Sequence, residues 1–221
     1  YAEMQALAEV YSLLRHMLGI APADVAGIFT DWQQSGLGSY LLEITIDILQ
    51  KKDGDELLLD KILDQAEQKG TGGWSAAVAL EYGVPYDTLS AAVMARALSA
   101  MKAERLKAAA HYQTQSPNVK IDRTSFVSSL KQAYQVTRII NHEIGFNLMR
   151  EVSMQLNWNL NFSEIARIWT NGCIIRSQLM EELTEIYKQD QRLLLAPPIV
   201  ERIRNSRQGF AAVVALGLQY G

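Results

Sequence analysis

The stretch Arg138-Ile-Ile-Asn-His-Glu-Ile-Gly-Phe-Asn-Leu-Met-Arg-Glu-Val152 lies inside a helical pattern that runs from a cap at Asp122 or Thr124 to about Asn157. Apolar residues surround the middle of this pattern on nearly every side: Ile139, Ile140, Ile144, Phe146, Leu148, Met149 and Val152. A helix that is apolar all round is usually buried by its neighbours. The sequence therefore predicts an all-α fold in which several helices pack around one long central helix.

The rest of the chain also follows helical periodicity, and it shows no period-two alternation with hairpin turn signals. The flanking helices are predicted at about 1–18, 22–34, 40–50, 74–82, 85–112, 163–170, 174–187 and 199–219. Ser163 is expected to cap one of them, and Lys102, Glu104 and Arg105 are expected to form a solvated charged face. Residues 51–55 indicate a charged surface turn, residues 57–63 fit either a helix or a strand, and residues 113–120 indicate a polar loop.

Composition excludes several classes of function. The 221 residues carry 48% hydrophobic residues, 20% charged residues and a net charge of −3, which describes a globular protein and argues against a general nucleic-acid binder. One cysteine and three scattered histidines provide no metal-ligand spacing. No apolar run is long enough to cross a membrane, and the single cysteine fits a reducing, cytoplasmic compartment.

A short glycine-rich segment carries the strongest chemical signal: Gln68-Lys69-Gly70-Thr71-Gly72-Gly73-Trp74. It enters a helix, so unpaired backbone N–H groups, a lysine and a threonine hydroxyl meet at one helix N-terminus. That combination suits a phosphate, although it matches neither the P-loop nor the dinucleotide fingerprint. From these residues alone, a tight turn and an anion site both remain open.

Arg96 strengthens the second interpretation. It lies on the following long helix, which must pack against the first because the connection Gly83-Val84-Pro85 is short. A lysine, an arginine and a glycine loop would hold a phosphate by charge-assisted hydrogen bonds.

The glycine-rich segment resembles the Gln-Lys-Gly-Thr-Gly-Lys-Trp signature of the 6-phosphogluconate dehydrogenases. Four other segments match that family in order and approximate spacing: Tyr1–Gln5, Leu80–Pro85, Ala95–Ser99 with Lys102–Arg105, and Gly172–Ser177. The resemblance extends over essentially the whole chain. It implies the all-helical C-terminal domain of an enzyme that oxidises and decarboxylates 6-phosphogluconate to ribulose 5-phosphate and CO2 with reduction of NADP, in the pentose phosphate pathway.

The resemblance also implies roles for individual residues. Tyr1, Lys69, Thr71 and Arg96 match the positions that bind the sugar phosphate, mostly at its phosphate end. The family's catalytic Lys and Glu lie in a Lys-x-x-His-Asn-x-x-Glu-Tyr run of which only the final tyrosine, Tyr1, is present, so no catalytic residue is expected within this chain.

The chain is further expected to be a fragment. Tyr1 opens inside an amphipathic helical pattern, and a helix is still running near Gly221. Residues 1–221 are then a substrate-binding and dimerisation domain truncated at both ends, inactive alone. The NADP-binding Rossmann domain and a C-terminal tail that supplies an Arg and a His to the partner subunit would be absent. The resemblance also implies a homodimer formed through the helical domain and no metal.

Two departures from the family pattern stand out. Gly73 replaces a lysine, and Thr170 and Asn171 replace Arg-Gly; the asparagine is tolerable if its φ is positive. Two other functions remain open: a related β-hydroxyacid dehydrogenase that acts on an unphosphorylated acid, and a non-catalytic helical interaction module.

Overall fold

The fold of the computed structural model is nearly all helical. The structure describes residues 1–67, 69–112, 121–189 and 191–220. Within these ranges the helices are α1 (Ala2–Ser12), α2 (Pro22–Gln34), α3 (Tyr40–Gln50), α4 (Leu58–Lys61), α5 (Thr71–Glu81), α6 (Asp87–Ala100), α7 (Lys102–Tyr112), α8 (Arg123–Gln155), α9 (Phe162–Trp169), α10 (Gln178–Lys188) and α11 (Pro197–Tyr220). A π-helical turn, Leu13–Met17, extends α1, and a 3₁₀ turn, Leu193–Leu195, precedes α11. The all-α prediction is confirmed.

The predicted central helix is α8, with 33 residues and a length of about 50 Å. Asp122 caps it, because its carboxylate accepts a hydrogen bond from the Ser125 N–H at 2.8 Å. It packs along α11 and also contacts α1 and α6. The first half of α8 contributes Phe126, Leu130 and Tyr134 to a core shared with α1, α2 and α3. The second half contributes Ile139 and Phe146 to a core shared with α9, α10 and the start of α11.

Several predicted helix boundaries are wrong. The expected helix over 85–112 is broken at Met101 into α6 and α7. Ser163 does not cap α9: the Asn161 side chain does so, and the Ser163 hydroxyl donates to the Thr184 carbonyl at 2.8 Å. The helix expected from residue 174 begins only after the cap Ser177.

The ambiguous segment around residue 57 contains both structures. A short antiparallel hairpin pairs β1 (Lys52–Asp53) with β2 (Glu56–Leu57), and α4 follows directly. The expected turn at 51–55 is therefore the turn of this hairpin, and the polar loop expected at 113–120 lies outside the described residues.

A buried ion pair ties the start of α1 to the middle of α8. Arg138 Nε lies 3.0 Å from Glu3 Oε1, with side chains only 3% and 13% exposed. The Tyr134 hydroxyl donates to the same carboxylate, and Arg138 Nη1 donates to the Leu37 carbonyl at 2.8 Å. Three segments, α1, α8 and the loop before α3, thus meet at one guanidinium.

We expect Glu3→Ala to lower the free energy of unfolding by about 3–5 kcal/mol, because it leaves the Arg138 charge buried without its counterion. The matched control is Glu185→Ala, which breaks an exposed pair with Lys188 on α10 and is expected to cost less than about 1 kcal/mol. Denaturant unfolding of the two variants measures the difference. Equal losses would contradict a special role for the buried pair.

Candidate functional site

The glycine-rich segment forms an open helix N-terminus. Gly70 caps α5 with φ of 95°, a conformation that residues with a side chain adopt only at a cost. The first helical hydrogen bond runs from the Trp74 N–H to the Gly70 carbonyl, at 3.0 Å. The N–H groups of residues 71–73 therefore have no acceptor inside the helix and carry its positive end. The helix begins three residues before the predicted start, which places Thr71 in its first turn.

Tyr1 lies directly against this segment. Its hydroxyl accepts a hydrogen bond from the Lys69 N–H at 3.2 Å. Its ring covers Gly72 so closely that a Cβ there would stand 2.8 Å from Tyr1 Cε2 and 2.9 Å from Val93 Cγ2. Only glycine at residue 72 allows the ring to take this position.

Arg96 completes the arrangement from α6. Its Cζ lies 3.8 Å from the centre of the Tyr1 ring, within the range of a cation–π contact. Its Nη1 donates to the Glu67 carbonyl at 2.9 Å. The guanidinium is therefore held between the ring and the backbone that leads into the glycine segment.

The two cations of this site lack acidic partners among the described residues. Within the described part of the chain, neither Lys69 nor Arg96 forms an ion pair with a carboxylate. Lys69 and Thr71 are exposed, and Arg96 is half-buried. Two cations, a hydroxyl and the N–H groups at the start of α5 therefore lie on adjoining segments, and groups of these kinds can donate to several oxygens of an anion such as a phosphate.

Tyr1 thus contacts both Arg96 and the backbone of Lys69, and Thr71 lies two residues beyond Lys69 in the chain. Gln68 of the quoted signature lies outside the described residues. Sequence reasoning missed Gly72 as the seat of the tyrosine ring, and it wrongly assigned Lys102 and Arg105 to a solvated face. Both of those cations bind Asp64 instead. The close spacing of the glycines is a signal that could have identified Gly72, whereas nothing in the sequence indicates that Asp64 binds Lys102 and Arg105.

The departures at residues 170 and 171 fit their places. Thr170 ends α9, and its hydroxyl donates to the Arg167 carbonyl at 2.7 Å. The sequence predicts that an asparagine is tolerated at residue 171 if its φ is positive. The φ of Asn171 is not positive; the positive φ, 69°, is that of Gly172. An asparagine at residue 171 therefore needs no unusual backbone.

Nowhere in the described ranges do three or more His, Cys, Asp or Glu side chains come together as metal ligands would. None of the helices there combines the length and apolarity needed to cross a membrane.

Comparison with known proteins gives one consistent result. The family model for the C-terminal domain of 6-phosphogluconate dehydrogenase matches residues 1–221. A Staphylococcus aureus (strain N315) protein named 6-phosphogluconate dehydrogenase, decarboxylating, is 37% identical over 225 residues, covering 100% of this chain and 48% of the relative. A protein of the same name from Schizosaccharomyces pombe is 37% identical over 227 residues, covering 100% and 46%.

A solved structure agrees. The structure of Plasmodium falciparum 6-phosphogluconate dehydrogenase, described in its apo form and in complexes with its cofactor NADP+ and its substrate 6-phosphogluconate, superimposes with a TM-score of 0.96 at 35% identity. The match covers 100% of this chain and 49% of that one. The chain therefore spans about half the length of the relatives it matches.

We expect Gly72→Ala to lower the free energy of unfolding by about 1–3 kcal/mol, because the new methyl group collides with the Tyr1 ring and Val93. Gly145→Ala is the control: it lies inside α8 with no neighbouring atom within 4 Å of the new methyl group, and should raise stability by about 0.5–1 kcal/mol. Thermal unfolding distinguishes the two. Stabilisation by Gly72→Ala would show that the ring does not need this glycine.

Proposed function

We propose that this chain, which belongs to the 6-phosphogluconate dehydrogenase family as its C-terminal domain, is part of an enzyme of the pentose phosphate pathway. Its part in that enzyme is to bind the substrate and to form the dimer. The parent enzyme oxidises and decarboxylates 6-phosphogluconate to ribulose 5-phosphate and CO2 while reducing NADP, in the cytoplasm. One observation carries the proposal: Lys69 and Arg96, beside the N-terminus of α5, have no carboxylate partner among the described residues.

The residues divide the work of holding the phosphate end of the substrate. Lys69 and Arg96 neutralise its charge, and Thr71 and the free N–H groups of α5 donate to its remaining oxygens. Each charge-assisted hydrogen bond contributes about 1.5–3 kcal/mol. Tyr1 sets the position of Arg96 through its ring and meets the loop through its hydroxyl.

The residues that carry out the oxidation and decarboxylation are expected elsewhere in the parent protein. The phosphate does not react, so its contacts are equally strong in the ground and transition states and act on KM rather than on kcat. No residue described here is assigned the proton transfers. The described residues contain no βαβ unit and hence no dinucleotide site of the Rossmann kind, so no step through NADP is derived from them.

In the natural protein that contains this chain, we expect Arg96→Ala and Lys69→Ala to raise KM for 6-phosphogluconate about 10- to 150-fold, the equivalent of one charge-assisted bond. The value of kcat should change much less. Arg207→Ala is the control, since Arg207 is exposed on α11 and has no ion pair or hydrogen bond within the described ranges.

Steady-state kinetics with NADP test these variants. Absence of turnover of 6-phosphogluconate by the wild type would overturn the function. An unchanged KM would remove Lys69 or Arg96 from the site, and equal use of an unphosphorylated sugar acid would favour a β-hydroxyacid dehydrogenase.

The homodimer is supported by apolar side chains that lie exposed on three helices. The buried apolar side chains of α8 pack inside the chain. Helices α5, α6 and α7 instead expose a group of large apolar side chains: Trp74, Leu80, Met94, Leu98, Leu106 and Tyr112. Large apolar side chains exposed on neighbouring helices are typical of an interface, and a second copy of the chain would bury them.

We expect the wild type to sediment as a dimer and Leu80→Gln, at a side chain that is 84% exposed, to weaken the dimer more than about a hundredfold. In a two-fold interface each substitution removes two buried leucines, at about 1.5–3 kcal/mol each. Ile168→Gln on α9, 57% exposed, is the control and should leave the dimer intact. A monomeric wild type, or dissociation by the control alone, would contradict this interface.

A further inference from the structure

The segment that leads into the glycine loop lies across the C-terminal end of α6. Ser99 Oγ accepts a hydrogen bond from the Ala66 N–H at 2.9 Å and lies 3.2 Å from the Ala66 carbonyl. Gln65 Nε2 donates to the Ala100 carbonyl at 3.3 Å. The last turn of α6 therefore holds the backbone that precedes Lys69.

One guanidinium joins the two elements. Arg105 Nη2 donates to the Ser99 carbonyl at 3.0 Å and to the Asp64 carbonyl at 2.9 Å. Nη1 and Nη2 each lie 3.2 Å from Asp64 Oδ2, and Lys102 Nζ binds the other oxygen of the same carboxylate. The hydrogen bonds from Lys102 and Arg105 lower the pKa of Asp64, so this carboxylate stays charged to a lower pH than an ordinary aspartate does.

Arg105 is already engaged by groups of the protein in this position. Nη2 donates to Asp64 and to two backbone carbonyls, Nη1 donates to Asp64, and Nε is buried without a hydrogen-bond partner among the described residues. Its contacts are with backbone and with the segment before the loop, where they fix a position rather than bind a ligand.

The connection from this segment to the proposed site is short. Arg96 Nη1 donates to the Glu67 carbonyl, in the same segment, and Lys69 follows two residues later, a span of no more than about 7 Å. A shift of residues 64–67 would therefore move Lys69 and release Arg96 together.

We propose that Arg105 is a positioning residue for the phosphate site, acting through Asp64 and Ser99 on the loop that carries Lys69. This inference rests on the proposed function, because it takes Lys69 and Arg96 as the groups that bind the substrate phosphate. Arg105→Lys keeps the positive charge but loses the planar fork that reaches carboxylate and carbonyls together.

The test uses the natural protein that contains this chain. Arg105→Lys is expected to raise KM for 6-phosphogluconate about tenfold, with kcat and KM for NADP within twofold of the wild type. Asp64→Asn attacks the same contact from an exposed loop residue and should behave alike even if the helix variant folds poorly. Arg207→Lys, the same substitution at an exposed arginine without partners in the described ranges, should change nothing.

A double substitution separates positioning from general loss of structure. If Arg105 acts through Lys69 and Arg96 together, then Arg105→Lys in a Lys69→Ala background should raise KM by clearly less than the tenfold expected alone, because one of the two cations to be positioned is gone. A further tenfold loss in that background, or a fall of kcat in step with thermal stability, would overturn the proposal. So would an unchanged KM in both Arg105→Lys and Asp64→Asn.

Calorimetric binding of inorganic phosphate makes the comparison without turnover. Weaker phosphate binding by Arg105→Lys than by Arg207→Lys supports the positioning role, and equal binding overturns it. A wild type that binds phosphate but does not turn over 6-phosphogluconate would overturn the proposed function while leaving the positioning of the anion site to be decided by this comparison.

Discussion

The buried positions of α8, which recur from Phe126 to Ser153, constrain where the other long helices can lie. The helix belongs to two cores at once, so α1 must cover its first half, and α9 and α10 its second, while α11 runs beside it. Helices α1 and α6 both pack on α8 and on each other. That packing brings Tyr1, at the start of α1, under Arg96 on α6, although the two residues lie far apart in the sequence.

The parts of the fold that were predictable are those decided by local chemistry. Pro22 and Ser39 mark the starts of α2 and α3, and Gly19 ends the first helix with φ of 65°, because each acts within a few residues of itself. No glycine or proline lies near Met101 to indicate that the helix breaks there. It coincides with the place where α6, α7 and the loop at Asp64 are joined, so tertiary contacts decide it.

The site divides in the same way. Lys69, Thr71 and the glycines are close together in the chain, so an anion site was suggested by the sequence. The short connection Gly83-Val84-Pro85 added Arg96, and the resemblance to known enzymes added Tyr1. The contact between Asp64 and Arg105 joins residues 41 positions apart. Periodicity places a charged residue on a helix face, but it does not say which loop will cross that face.

The stacking of Arg96 on Tyr1 has a consequence for the thermodynamics of recognition. A free arginine side chain loses about 2 kcal/mol of rotamer entropy when it is immobilised. Here the ring and the Glu67 carbonyl restrict the guanidinium before any ligand arrives. That entropy is lost on folding, so an incoming anion meets a preorganised cation and keeps more of its interaction energy as affinity. The same rigidity favours ligands of one shape, since the guanidinium has little freedom to follow an anion placed elsewhere.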